Sequence, residues 1–218
     1  MALLVFSQLL LAQDKEVRKV SGFTYVKVGQ AINAYLKQGT EEEVTVEVDG
    51  IELSKVNTEV ESGKLKIYLS NGNFRNSHVK VYVTFKSLEG ISASSAADVY
   101  SESVIKSDYL EISASSAGSI DINVDANKLD ISVSSSGDVE ITGTAKHLDA
   151  TASSAGEIDG FDLKCESADV NTSSAGSIKV NVTESIRARA SSGGSVKYKG
   201  NPSNSNTDSS SGGSVRKY

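Results

Sequence analysis

Between residues 94 and 213 one phrase recurs seven times: two serines, a small residue, a glycine, a polar residue, then Val or Ile. Copies include Ser115-Ser116-Ala117-Gly118-Ser119-Ile120, Ser134-Ser135-Ser136-Gly137-Asp138-Val139 and Ser191-Ser192-Gly193-Gly194-Ser195-Val196. The fourth position falls at 97, 118, 137, 156, 176, 194 and 213, so the period is 18–21 residues. A near-constant period of that length marks a solenoid, in which one supersecondary unit is stacked on copies of itself.

The residues between the phrases alternate apolar and polar, as half-buried strands do. Aligning the copies stacks like on like. The expected inward columns are Leu110/Leu129/Leu148/Ala168/Ile186, Ile112/Ile131/Ala150/Val170/Ala188, and Ala114/Val133/Ala152/Thr172/Ala190. A further column, Ile120/Val139/Ile158/Ile178/Val196/Val215, follows the phrase. Two strands and two turns leave no room for a helix in each unit. The predicted fold is all-β: a parallel β-helix or β-solenoid of about seven coils, stacked ~4.8 Å apart, with a β-rich N-terminal cap. The glycines Gly118, Gly137, Gly156, Gly176, Gly194 and Gly213 are expected to supply a positive φ at a tight corner, with Ala97 as the exception. One serine of each pair is expected to face inward: Ser95, Ser116, Ser135, Ser154, Ser174, Ser192 and Ser211.

Three segments follow from composition. Residues 1–13 are an apolar run ending Leu9-Leu10-Leu11-Ala12-Gln13, which reads as a shortened secretory signal peptide without its basic start, the alternative being a buried N-terminal strand. Residues 14–88 form the cap; seven of the thirteen aromatic residues lie there, in alternating strands such as Val79 to Phe85. Residues 89–218 are the coils, closing from about residue 200 in a polar segment with the single proline, Pro202, which discourages further strand addition. No segment is long enough for a transmembrane helix.

The net charge of −6 conceals a sharp division. Residues 89–170 hold 4 basic and 16 acidic residues, whereas residues 171–218 hold 7 basic and 2 acidic. An acidic middle repels polyanions, so nucleic acid is not an expected partner. The lone Cys165 allows no intrachain disulfide and no cysteine-based zinc site.

With these residues in view, the chain resembles the head-GIN domain family, described as "putative auto-transporter adhesins". The resemblance runs from the Phe23 strand through Gly63-Lys64-Leu65-Lys66-Ile67 and Leu88-Glu89-Gly90-Ile91 to the corner at Gly213. It implies an exported β-helical domain of a Gram-negative bacterium, located in the periplasm, on the outer surface or outside the cell. It brings no catalytic residues with it.

Two acidic rows are the candidate chemistry. One reads Glu111, Asp130, Asp149, Asp169, then Arg187; the other reads Asp121, Glu140, Asp159, then Lys179, Lys197, Arg216. Stacked carboxylates repel one another, and a Ca²⁺ ion would relieve them. Glu111, Asp130, Asp149 and Asp169 are therefore metal candidates; the alternatives are a solvated face and a face that binds a sugar or protein. His78 and His147 lack the spacing of a metal site or a catalytic triad. The expected function is non-enzymatic, with no catalytic residues and no cofactor: an envelope or surface scaffold, or an adhesin-like domain for a glycan or a surface protein. The alternatives are a carbohydrate-active β-helix enzyme, a polysaccharide lyase or hydrolase, and a Ca²⁺-binding acidic ladder protein.

Overall fold

The computed structural model describes residues 14–72, 74 and 76–218. The expected signal peptide, residues 1–13, lies outside the described residues. The described chain is a β-solenoid, and its one short helical element is a 3₁₀ turn at Leu53–Lys55.

The coils are made by β8 (Gly90–Ser94), β9 (Asp98–Ser101), β10 (Ile105–Ser115), β11 (Ser119–Val133), β12 (Asp138–Ala152), β13 (Glu157–Thr172), β14 (Ser177–Ala190), β15 (Ser195–Lys199), β16 (Asn204–Ser209) and β17 (Ser214–Lys217). Every pairing among them is parallel, in the register that the sequence columns predict: Leu110 pairs with Leu129, Leu129 with Leu148, Leu148 with Ala168, and Ala168 with Ile186. These residues are buried, as are the three other columns as far as Ala190 and Val196. In the last coil Ser205, Thr207 and Ser209 stand beside Ile186, Ala188 and Ala190, so three of the four apolar columns end in hydroxyls, and the fourth ends in Val215.

Each coil has one sharp and one gentle corner. The gentle one falls where alternation breaks, as at Asn127 and Lys128, which both face solvent. It divides the coil into a post-corner face (such as residues 119–126) and a pre-corner face (such as residues 128–133). The sharp corner is the Ser-Ser-small-Gly phrase, and its geometry corrects two expectations. The positive φ belongs to the second serine and the small residue, for example Ser116 at 51° and Ala117 at 58°, and not to the glycine that follows. The turn closes by a hydrogen bond from Gly118 N–H to Ser115 O at 2.9 Å, as in a type I′ turn. The second serines sit at the apex, so Ser95, Ser116, Ser135, Ser154, Ser174, Ser192 and Ser211 are exposed and not inward. Successive corners are tied together, Ala117 N–H donating to Ser135 O at 3.1 Å and Ser136 N–H to Ser154 O at 3.1 Å.

The glycine is required for closeness. A Cβ on Gly118 would stand 2.6 Å from the Ala93 carbonyl of the preceding coil, and one on Gly213 would stand 2.3 Å from the Ala190 oxygen. An eighth corner, Gly29-Gln30-Ala31-Ile32, lacks the serine phrase but has the same geometry, with φ of 62° and 54° at its two central residues. There the fourth residue is a buried Ile32, then Ala97 in the next corner, and only afterwards glycine.

The N-terminal end departs from simple winding. Strands β2 (Tyr25–Val28) and β3 (Asn33–Gln38) form a complete coil. It lies between β8 and β9 on one side and the later strands β6 (Lys64–Leu69) and β7 (His78–Phe85) on the other. Beyond these, β5 (Val56–Glu61) pairs antiparallel with β6, and β4 (Glu43–Asp49) antiparallel with β7. β1 (Asp14–Arg18) adds antiparallel to β4. A change to antiparallel pairing stops the parallel stack, and the outer strand β1 is short and charged, which discourages edge association.

Candidate functional site

Because the ladder is parallel and in register, outward side chains form straight columns one coil apart. On the pre-corner face one column runs Lys64, Tyr25, Gly90, Glu111, Asp130, Asp149, Asp169, Arg187, Asn206. The sequence register of the four carboxylates is therefore the structural one. They make a row, one per coil, and among the described residues no three His, Cys, Asp or Glu side chains gather around a common metal position. Three of the four are already engaged. The Tyr25 hydroxyl donates to Glu111 at 3.3 Å, Lys128 pairs with Asp149 at 3.2 Å, and Arg187 pairs with Asp169 at 3.2 Å. Gly90 makes the first of these contacts possible: a Cβ there would fall 2.1 Å from the Tyr25 ring, which crosses it to reach Glu111. Burial and then the Glu111 carboxylate raise the Tyr25 hydroxyl above its ordinary pKa.

Beside this column runs Tyr109, Lys128, His147, Ser167, Ser185 and Asn204. The two rows border a shallow groove of about 710 Å³ along the rod, floored by Leu148, Ala168 and Ile186. Its lining is mixed: Lys128, Asp149, Asp169 and Arg187 supply charge, and Ser185, Asn204 and Asn206 supply short polar groups. Sequence reasoning missed one contact here. His147 Nδ1 lies 2.7 Å from Ser167 Oγ. Twenty residues separate the two, which is one coil period, so the repeat itself could have revealed the pair. His78 stands apart, at the start of β7 in the cap.

The post-corner face carries the second acidic row. Its column reads Tyr82, Tyr35, Tyr100, Asp121, Glu140, Asp159, Lys179, Lys197, Arg216. The three tyrosines stack, with ring centroids 5.1 and 5.4 Å apart. At the change of sign Lys179 bridges Glu157 at 3.0 Å and Asp159 at 2.8 Å, which raises its pKa. Asp138 lies next to this row; burial, then the charges of Glu157, Glu140 and Asp159, raise its carboxyl. At the C-terminal side of Asp159, β13 bulges, so Phe161 and Asp162 have no partners in β14. The Phe161 ring lies against Tyr218, 5.3 Å between centroids, with Lys199 5.1 Å over it.

Cys165 is buried in the wall of the solenoid, and burial pushes its thiol up to about 12. No helix among the described residues is long and apolar enough to cross a membrane.

Solved structures share this architecture from end to end. A protein of Bacteroides fragilis, described as a "putative adhesin", superposes with a TM-score of 0.86 at 25% identity, covering 95% of this chain and 97% of its own. A "putative adhesin" of Parabacteroides distasonis gives 0.75 at 21% identity, covering 95% and 97%. A "putative lipid binding protein" of the same species gives 0.73 at 24%, covering 94% and 96%. No curated protein matches the chain. Residues 22–202, from the turn before β2 to the start of the last coil, match the family described as "Putative auto-transporter adhesin, head GIN domain", and the chain belongs to that family.

Proposed function

We propose that this chain is a non-enzymatic, exported recognition rod of the cell envelope or cell surface, which holds a glycan or a surface protein along its pre-corner face. The observation that carries the reading is the groove between the His147 and Asp149 columns: about 710 Å³, straight, shallow and lined by short polar and charged groups on adjacent strands of one ladder. Such a surface offers many hydrogen-bonding groups in fixed register with little conformational entropy to lose on binding. Its charges are largely matched in pairs, which suits a neutral polyhydroxyl or protein ligand better than a polyion. The names of the similar structures and of the family agree with a surface role.

The His147–Ser167 pair is the one observation that favours an enzyme, since a hydroxyl beside an imidazole is the start of a nucleophile. Ser167 sits in a ladder between His147 and Ser185, and not on a turn where backbone N–H groups converge on a developing oxyanion. An array of glycans and surface proteins, run beside a reducing-end release assay and labelling with a fluorophosphonate, separates the readings. Binding that is lost in Arg187→Ala with no release and no label is expected. Label on Ser167, or release of reducing ends, overturns the non-enzymatic reading.

A further inference from the structure

The post-corner face is its own electrostatic complement when reversed. Its central column carries Asp121, Glu140 and Asp159 on three successive coils, then Lys179, Lys197 and Arg216 on the next three. Among the described residues only the junction is satisfied, by Lys179. Among the described residues Asp121 and Glu140 have no cationic partner, and Lys197 and Arg216 have no anionic one. The column beside it ends in Ser177, Ser195 and Ser214, which are short enough to let another surface approach.

We propose that this face docks a second copy of the chain, side by side and antiparallel, about a two-fold axis across the rod between the coils of Asp159 and Lys179. A two-fold interface places the same patch against itself. Reversal about that axis sets Asp121 opposite Arg216, Glu140 opposite Lys197 and Asp159 opposite Lys179, each twice. Equal steps of ~4.8 Å between coils keep all of these rungs in register, which an irregular surface could not do. The β13 bulge falls beside the same axis and presents the partly buried Phe161, which leans toward Tyr218, on the docking face. An exposed aromatic edge beside charged rungs can add apolar contact while the charges fix orientation. A parallel pairing would set acid against acid and is disfavoured by the same column.

Sedimentation of the purified chain over a range of protein and salt concentrations tests this. Wild type should form dimers at low ionic strength, and the dimer should weaken as salt rises. Two charge-swapped variants, Asp121→Lys/Glu140→Lys and Lys197→Glu/Arg216→Glu, should each be monomeric, since each reverses four rungs. Mixed one to one, they should re-form a dimer, because the swaps complement each other across the axis. Circular dichroism and thermal melting confirm that the variants, all at exposed positions, remain folded. A wild type that stays monomeric at low salt, a dimer that survives in either variant, or a mixture of folded variants that does not associate overturns the proposal. Glycan or protein capture at the opposite face is a separate measurement and is unaffected by either result.

Discussion

The corner glycine offers the sharpest test of how the coils are held together, and Gly137 is the best position for it. If glycine were there for its φ, alanine would cost roughly 1–2 kcal/mol and asparagine, which tolerates the left-handed region, would cost less. The structure gives a different reason. The left-handed residues are Ser135 at 53° and Ser136 at 58°, and Gly137 lies outside that region. A Cβ on Gly137 would stand 2.7 Å from both the carbonyl carbon and oxygen of Ala114 and 3.0 Å from Ser115 N. Those atoms belong to backbone held in the ladder, so they cannot swing aside as the end of a side chain would. Overpacking of this kind costs ~1–3 kcal/mol or more, and it grows with side-chain size. Gly137→Ala should therefore lose ~3 kcal/mol, and Gly137→Asn should lose at least as much. Ser136→Gly should do the reverse, gaining up to ~1 kcal/mol by relieving a left-handed L-residue; Gly193 and Gly212 already occupy that place in the last two corners. Urea unfolding, read as midpoint shifts at constant slope, measures all three. A Gly137→Asn protein more stable than Gly137→Ala, or a Ser136→Gly protein less stable than wild type, would refute the close-approach argument.

Three further outcomes follow from single residues. The Thr172 hydroxyl is buried and, among the described residues, has no hydrogen-bond partner, with the apolar Ala152 and Ala190 on either side in its column; Thr172→Val should raise stability by ~1 kcal/mol in the same urea assay. Asp138 has its carboxyl raised by burial and neighbouring acids, so the folded state holds that proton more tightly than the unfolded one. Ionised Asp138 thus opposes folding above its folded pKa, and Asp138→Asn should raise the melting midpoint at pH 7, with the gain vanishing below the ordinary carboxylate range of ~3.9. Burial pushes the Cys165 thiol up to about 12, so a maleimide at pH 8 should leave it unmodified in the folded chain and label it fully in denaturant; rapid native labelling would contradict the buried position.

The repetitive half was readable because its period, its alternation and its ladder register are one fact expressed three times. Leu110, Leu129 and Leu148 are neighbours in space because they are equivalent in sequence. The corner was located correctly and explained wrongly. Glycine satisfies two different needs, φ and closeness, and a single sequence shows only that the position is small. The exposed second serines follow from the same turn: two apex residues in succession leave the alternation for a moment, so counting in and out fails at Ser116 or Ser135. Strands β2 and β3 were hidden as a coil because their corner uses Gln30 and Ala31 and keeps Ile32 where later corners need glycine. The placement of β6 and β7 outside them could not be read at all, since it depends on which strands pair across long separations. The β13 bulge escaped for a similar reason: Phe161 reads as one more alternating residue until its ladder partner is known to be missing.

On this architecture, interior and exterior answer to different constraints. An inward residue must match those above and below it, as the Ile120 to Val196 column does, because a change of volume in one coil is felt by both neighbours. An outward residue meets solvent and the side chains of its own and nearby coils, and need not fill a fixed volume. The sign of charge can therefore change from Asp159 to Lys179 in one step while the strands beneath continue in register from Ile158 to Ile178. It changes on the other face too, from Asp169 to Arg187, between the same two strands. Two columns on opposite sides of the rod that reverse at the same coil are not required by packing, since neither touches the other. What the two reversals share is β14, the strand that brings the cations, so the side chains of this one strand set where both faces change character. Replacing Asp159 and Asp169 of β13 with Lys and Arg should displace both reversals by one coil and leave the fold unchanged. The proposed charge-dependent association of the post-corner face and the proposed ligand preference of the groove should then shift together, although no residue of one lies in the other.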